Sequence, residues 1–399
     1  MRIGTDTSQR ALVGTLHSRQ SDLADLQQQV STGRRVLRAS DDPAAISRAE
    51  RARNALQRMD ADQRALASQR ATLAQAESTL GQSVDVLQNV RELMLQASNG
   101  SLSTSDRQSI AQQVLSLRDH LLALANQRDA NGLALFGGPG CTVAPFAVTS
   151  QGLVYQGVPA QAAPTESSVP ASMDGQRLWM NLPDGNGVFR VESGSANSGT
   201  VWADPGTVTD PSALEGHSYE IRFAVTASGA GGNTTTWTAF DTTTGQALGA
   251  AQPYAEGMTL KLPGMSVVAR GAPAQGDTLQ IGPSGRGDLF AVLQRAADAI
   301  RTGGPALGGA VSRATRELDT GLDRLMMGRT LAGEWLRRAD TIDNLMQDRR
   351  LDVERLRADA EDIDMVRSVS ELQGAQTNLD VALKTYAQIQ RLSLFNYLG

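Results

Sequence analysis

The stretch Val30–Leu56, VSTGRRVLRASDDPAAISRAERARNAL, decides how the chain is built. Helical pattern runs into it and out of it. Between lie Gly33, then Arg34, Arg35 and Arg38, then Ser40-Asp41-Asp42-Pro43. Glycine accepts the left-handed conformation that closes a helix, so Gly33 reads as the end of the first one. Asp42 reads as the cap of the next, with Pro43 at the first helical position, where its missing N–H costs nothing. Ser40 is a weaker cap, because the donor it would seek belongs to proline. A connector explains the glycine and the SDDP run. It does not explain three arginines just before two aspartates.

Outward from this joint the pattern is helical on both sides. Leu12, Leu16, Leu23, Leu26 and Val30 follow alternating four- and three-residue steps, interrupted only by Arg19. Near the other end Leu372, Leu379 and Tyr386 recur every seven residues, and so do Ala375, Ala382 and Ile389. Such narrow apolar faces cannot offset their ordering entropy alone, so each helix needs a partner, and the best candidate is the other. A long helix is expected from Ala44 to Ser98 and another from near Asp106 to about Arg128. A third begins at Asp288 and, after a break at Gly303-Gly304-Pro305, continues to about Leu392.

The middle differs in kind. Of 14 prolines, 12 lie between Pro139 and Pro283, and no Phe, Tyr or Trp precedes Phe136. Residues 139–285 carry 5 basic and 11 acidic groups, whereas 1–138 carry 16 and 14, and 286–399 carry 16 and 17. Short stretches such as GQRLWMNL, GVFRVES, SYEIRFAVT, TTWTAFDTT, MTLKL, MSVVARG and DTLQIGP read as strands of an antiparallel sandwich or barrel. The expected fold class is α+β: a long antiparallel helical rod or coiled coil from the two ends, with an inserted, mostly antiparallel β domain. The expected divisions are 1–40 and 366–399 as terminal assembly segments, 41–138 and 286–365 as the two halves of the rod, and 139–285 as the insert.

Composition excludes several classes. A net charge of −5 gives no pull toward nucleic acid or anionic membrane. No apolar run approaches the roughly 18 residues that span a bilayer. The N-terminal MRIGTDTSQRALVG lacks a secretory signal, which by itself points to the cytoplasm. Cys141 is alone, so a cysteine metal cluster is ruled out. His17, His120 and His217 are scattered, with no HExxH or GxSxG, and each reads as solvated or hydrogen-bonded. The glycine runs GGPGC and GAGGN read as turns. Arg286-Gly287-Asp288 spells an adhesion tripeptide, yet it opens a helix with Asp288 as cap. Glu361-Asp362-Ile363-Asp364 reads as a solvated helix face. No catalytic, cofactor-binding or metal residue is expected; an enzyme in the β insert and an adhesin are the weaker alternatives.

The segments STGRRVLRASDDPAAISRA, VRELMLQASNGSLSTSDRQSI and NLDVALKTYAQIQRLSLFNYLG resemble the bacterial flagellin family, over roughly 1–140 and 286–399. Pro43 after the double aspartate, ANGLALFGG at Ala130–Gly138, the Phe395-Asn-Tyr397 ending and GAPAQGDTLQIGP resemble its junction branch rather than filament flagellin. The resemblance implies a structural subunit between hook and filament, with a short flagellin filament subunit as the alternative. It implies export through the flagellar type III apparatus without a cleaved signal, and an extracellular place in the flagellum. The partners it implies are hook-associated protein 1, flagellin, further copies of the chain in a ring, and a cytoplasmic export chaperone at the C-terminal helix. The assembly interface is then expected at Leu12, Leu16, Leu23, Leu26, Val30, Leu372, Leu379, Leu383, Tyr386, Ile389 and Phe395. Arg34, Arg35, Asp41 and Asp42 are expected between two layers, pairing across subunits.

Overall fold

The computed structural model describes residues 3–99, 101–150, 152–158, 168–170, 172–228, 232–304 and 306–398; the side chains of 3–6, 8–9, 228, 232 and 389–398 fall outside that description. The fold is α+β, as the sequence pattern implies. Its helices are α1 (Ile3–Thr32), α2 (Pro43–Ala97), α3 (Thr104–Ala125), α4 (Gly175–Trp179), α5 (Leu289–Thr302), α6 (Leu307–Glu361) and α7 (Met365–Leu398). The chain divides into two compact units, one of residues 1–65 with 342–399 and one of residues 66–341, and α2 and α6 contribute to both.

In the unit of residues 66–341, α2 buries Leu66, Leu73, Leu80, Leu87 and Met94, every seventh residue. On α6 the buried positions Val311, Leu318, Leu325, Ala332 and Ala339 keep the same interval. Sevenfold spacing holds one face of each helix toward a partner helix. Ion pairs fix the register: Arg70–Asp340 at 3.0 Å, Glu77–Arg329 at 2.5 Å and Arg91–Asp319 at 3.3 Å. Partner numbers fall as those of α2 rise, so the helices are antiparallel. All three pairs are exposed, so they set alignment more than stability.

The β region pairs its strands antiparallel throughout. One sheet places 252–253, 232–241, 219–228, 278–283 and 189–193 side by side, and the other is built on 259–262, 265–270 and 202–203. Alternate residues of both sheets, among them Phe189, Ile221, Phe223, Trp237, Leu260, Val267 and Leu279, meet in one core, which makes a sandwich. Beside it α3 packs on α5. α3 opens on a capping box between Ser103 and Asp106, and Asp288 caps α5 through the Ala291 N–H at 2.7 Å.

Two expectations are corrected. GQRLWMNL is not a strand: Asp174 caps the short helix α4 through the Arg177 N–H, and Leu178 and Trp179 turn inward, Trp179 edge-on to Phe136 at 4.5 Å. Of that stretch only its last residue, Leu182, enters a strand, Leu182–Pro183. The C-terminal helix is not continuous through Glu361–Asp364: α6 ends at Glu361 and α7 begins at Met365. Neither glycine nor proline marks this break. Its cause lies in the joint described next.

Candidate assembly surface

In the unit of residues 1–65 and 342–399, α1 packs along α7. Leu12, Leu16, Leu23, Leu26 and Val30 are all half-buried, and so are Leu372, Ala375, Leu379, Ala382 and Tyr386. The two stripes thus share one seam and neither is dry. Arg19, which interrupts the first stripe, donates to the Asn378 carbonyl at 3.2 Å and ties the helices across it. Leu383 lies off the seam, 48% exposed, beside Val381 at 57%. The side chains of Ile389 and Phe395 lie outside the described residues.

The Val30–Leu56 stretch turns out to be half of a two-part structure. Gly33 has φ of +69° and closes α1, with the Arg34 N–H reaching back to Gln29 at 3.2 Å. The following residues then pair with the break between α6 and α7. The Arg35 N–H donates to the Glu361 carbonyl at 2.8 Å, and the Ile363 N–H donates to the Gly33 carbonyl at 3.0 Å. This short antiparallel bridge needs extended backbone from both strands, so α6 must stop where it does. Asp364 restarts the chain by capping α7 through the Arg367 N–H at 3.2 Å.

Side chains lock the bridge. The Glu361 carboxylate is buried and pairs with Arg53 of α2 and, at 3.4 Å, with Arg357 one turn earlier. Farther along, Asp60 pairs with Arg350 at 2.6 Å and Gln63 donates to Asp343 at 3.2 Å. Ala45, Ala49 and Ala52 bury one face of α2 in small side chains.

Most of the charges in the opening stretch are engaged inside the chain. Arg35 lies 3.7 Å from Asp42 and donates to the Ala360 carbonyl at 3.1 Å. Asp42 caps α2 through the Ala45 N–H at 2.9 Å. Asp41 accepts the Leu37 and Arg38 N–H groups at 3.2 and 2.8 Å, and those bonds hold its carboxyl below the usual range. Arg34 contributes backbone to the bridge while its side chain stays exposed, as does that of Arg38.

Other sequence candidates resolve into structure. His217 bonds Asp241 at 2.7 Å at one end of the β region. Asp288 is taken up as the α5 cap, and burial pushes its carboxyl above the usual range. ANGLALFGG folds inward: Leu135 and Phe136 are fully buried, and a Cβ on Gly138 would collide with the Val158 carbonyl.

Residues 3–140, which hold α1, α2, α3 and the ALFGG turn, match the bacterial flagellin N-terminal helical region. The chain is similar in structure to the flagellar junction protein FlgL from Legionella pneumophila, with a TM-score of 0.67 and 25% identity, over 73% of this chain and 99% of that one. The fold is that of a flagellar junction protein. In sequence the chain resembles flagellar hook-associated protein 3. To that of Escherichia coli K12 it is 37% identical over 151 residues, 37% of this chain and 46% of the relative. To that of Salmonella typhimurium LT2 it is 32% identical over 201 residues, 49% of this chain and 59% of the relative. The chain thus spans about half the length of the curated relatives it matches.

The solvated helix face expected at Glu361–Asp364 is corrected: the helix stops there, and Glu361 is buried because Arg53 and Arg357 pair with it. The signal was present, since a glutamate one turn after Arg357 at a helix end invites pairing. The third partner, Arg53, is distant in sequence.

Proposed function

We propose that the chain is a structural subunit of the bacterial flagellum that joins hook to filament and assembles through its paired terminal helices. One observation carries this reading: α1 and α7 form a seam that is half-buried along its whole described length, with Val381 and Leu383 left exposed beside it. Helices that bury so little are completed by neighbours. The match to the flagellin N-terminal region and the junction-protein fold support the same reading. Hook-associated protein 1 on one side, flagellin on the other and further copies in a ring are the partners proposed. An export chaperone holds α7 before assembly, and the type III apparatus carries the chain outside the cell. Leu12, Leu16, Leu23, Leu26, Val30, Leu372, Leu379, Leu383, Tyr386, Ile389 and Phe395 are proposed to meet neighbouring helices, and Arg34 to face a neighbour at the joint.

Two substitutions test it. Leu379→Asp places a carboxylate in the α1–α7 seam, and Leu383→Asp places one beside it. Both should abolish motility, while only the first should loosen α1 from α7 in the free chain, read by hydrogen exchange. Normal motility with Leu383→Asp would refute the proposed contact. Long filaments grown from the purified chain alone would favour a filament subunit over a junction.

A further inference from the structure

At one end of the β region, Glu215 and His217 precede the strand Tyr219–Ser228, and Asp241 ends the strand Gly232–Asp241 paired with it. Gly216, with φ of +70°, turns the chain between the first two. His217 Nδ1 lies 2.7 Å from Asp241 Oδ2 and 3.3 Å from Glu215 Oε2, and one ligand atom of each residue falls within 4.8 Å of both others. No sequence motif marks this group, because Asp241 lies 24 positions from His217. Among the described residues no arginine or lysine pairs with either carboxylate. The two carboxylates repel one another, the Asp241 side chain is only 5% exposed, and a cation between them would relieve both charges.

Neighbouring groups hold this constellation in place. Asp241 Oδ1 accepts the Thr243 and Thr244 N–H groups at 2.8 and 3.1 Å, which leaves Oδ2 turned to His217. Tyr219 stands opposite Asp241 on the neighbouring strand, so both side chains point to one face of the sheet. The Tyr219 ring lies 6.5 Å from that of His217, and the charges of Glu215 and Asp241 reach its hydroxyl. That hydroxyl is buried with no hydrogen-bond partner among the described residues. A buried donor without an acceptor is costly, and an ion carrying a water beside it would supply one.

We propose that Glu215, His217 and Asp241 bind a divalent first-row metal ion of the zinc type, with Tyr219 donating to its bound water. One imidazole nitrogen with two carboxylate oxygens suits such an ion better than magnesium or calcium, which take oxygen shells. Three protein ligands leave a fourth position for the water. The ion takes the Nδ1 lone pair, so the imidazole proton sits on Nε2. Bound there, it clips the segment before Tyr219 to the end of the neighbouring strand.

The test titrates Zn2+ by calorimetry into the full chain, purified and stripped with a chelator, with Ca2+ and Mg2+ as comparators. One Zn2+ per chain is expected. Glu215→Gln and His217→Ala should each weaken its binding at least about tenfold, and Tyr219→Phe, which removes only the hydroxyl, about tenfold. Zinc should raise the melting temperature of the parent chain but not that of His217→Ala. Glu215 is exposed, so unchanged melting of metal-free Glu215→Gln serves as the folding control. No zinc binding, or binding that Glu215→Gln and His217→Ala both leave unchanged, overturns the proposal and leaves a hydrogen-bonded turn. Calcium or magnesium bound more tightly than zinc overturns it as well. Equal affinity in Tyr219→Phe and the parent refutes the part given to the hydroxyl.

Discussion

Replacing Glu361 by glutamine keeps the side chain's size and removes its charge from between Arg53 and Arg357. The Glu361 side chain is 8% exposed, whereas Arg53 is 34% and Arg357 38% exposed. Breaking a fully buried pair costs about 3–5 kcal/mol. Both arginines here keep contact with water, so roughly half of that, about 2 kcal/mol, is the reasonable expectation. The loss falls on the bridge between the two chain breaks, because the Glu361 carbonyl accepts the Arg35 N–H. At about 1.4 kcal/mol per factor of ten, the amides of Arg35 and Ile363 should exchange about 30-fold faster. Native-state hydrogen exchange on the full chain reads both amides directly. Arg367→Gln is the control: its pair with Glu371 is exposed and worth about 0.3–0.5 kcal/mol, or about a twofold change. An increase below about threefold with Glu361→Gln would show that the carboxylate does not hold the joint.

Two glycines with positive φ should respond differently to alanine. At Gly33 (φ +69°) a Cβ meets open space, so Gly33→Ala should cost only backbone strain, about 1 kcal/mol, read from exchange at Arg35. At Gly138 (φ +82°) the Cβ would strike the Val158 carbonyl, so Gly138→Ala should cost about 3 kcal/mol in urea unfolding of the 66–341 unit. Equal effects would refute the distinction. Tyr155, whose hydroxyl donates to the Phe136 carbonyl at 3.0 Å, has its pKa pushed up to about 12 by burial and then by the charges of Asp174 and Cys141. Above pH 10 the unfolded tyrosine ionises while the folded one keeps its proton, so stability should fall between pH 10 and about 12. Tyr155→Phe should flatten that fall, as followed by melting temperature against pH.

How much of this was legible depends on how local each cause is. Gly33, Asp42 and Pro43 announce their roles within ten residues, because caps and left-handed turns are decided by near neighbours. The strands Phe189–Ser193, Tyr219–Ser228 and Thr278–Pro283 were equally plain from alternation. The seam of α2 and α6 was not, although both keep a seven-residue interval. On α2 the leucines at this interval are interleaved with many alanines, and on α6 the last two positions are alanine, so the apolar period stands out poorly from its background. α4 was misread because five residues carry no period; packing of Trp179 on Phe136 decides the conformation. The break after Glu361 was hidden for the same reason in stronger form, since its determinant is the extended backbone at Gly33–Arg35. The expected pairing charges were visible as types but not as assignments: Arg35, Asp41 and Asp42 have their partners within the chain.

The bridge at Arg35 and Glu361 also constrains the order of events during folding. The Arg35–Ala360 bond spans 325 positions, so closing it in an otherwise unfolded chain would cost on the order of 5 kcal/mol in loop entropy. The two backbone hydrogen bonds, at about 1 kcal/mol each, cannot meet that cost alone. The sheets and the α2–α6 seam lie between the two halves of the bridge in sequence, and once they are formed most of that entropy is already removed. The terminal unit is therefore a late structure, closed last and opened first.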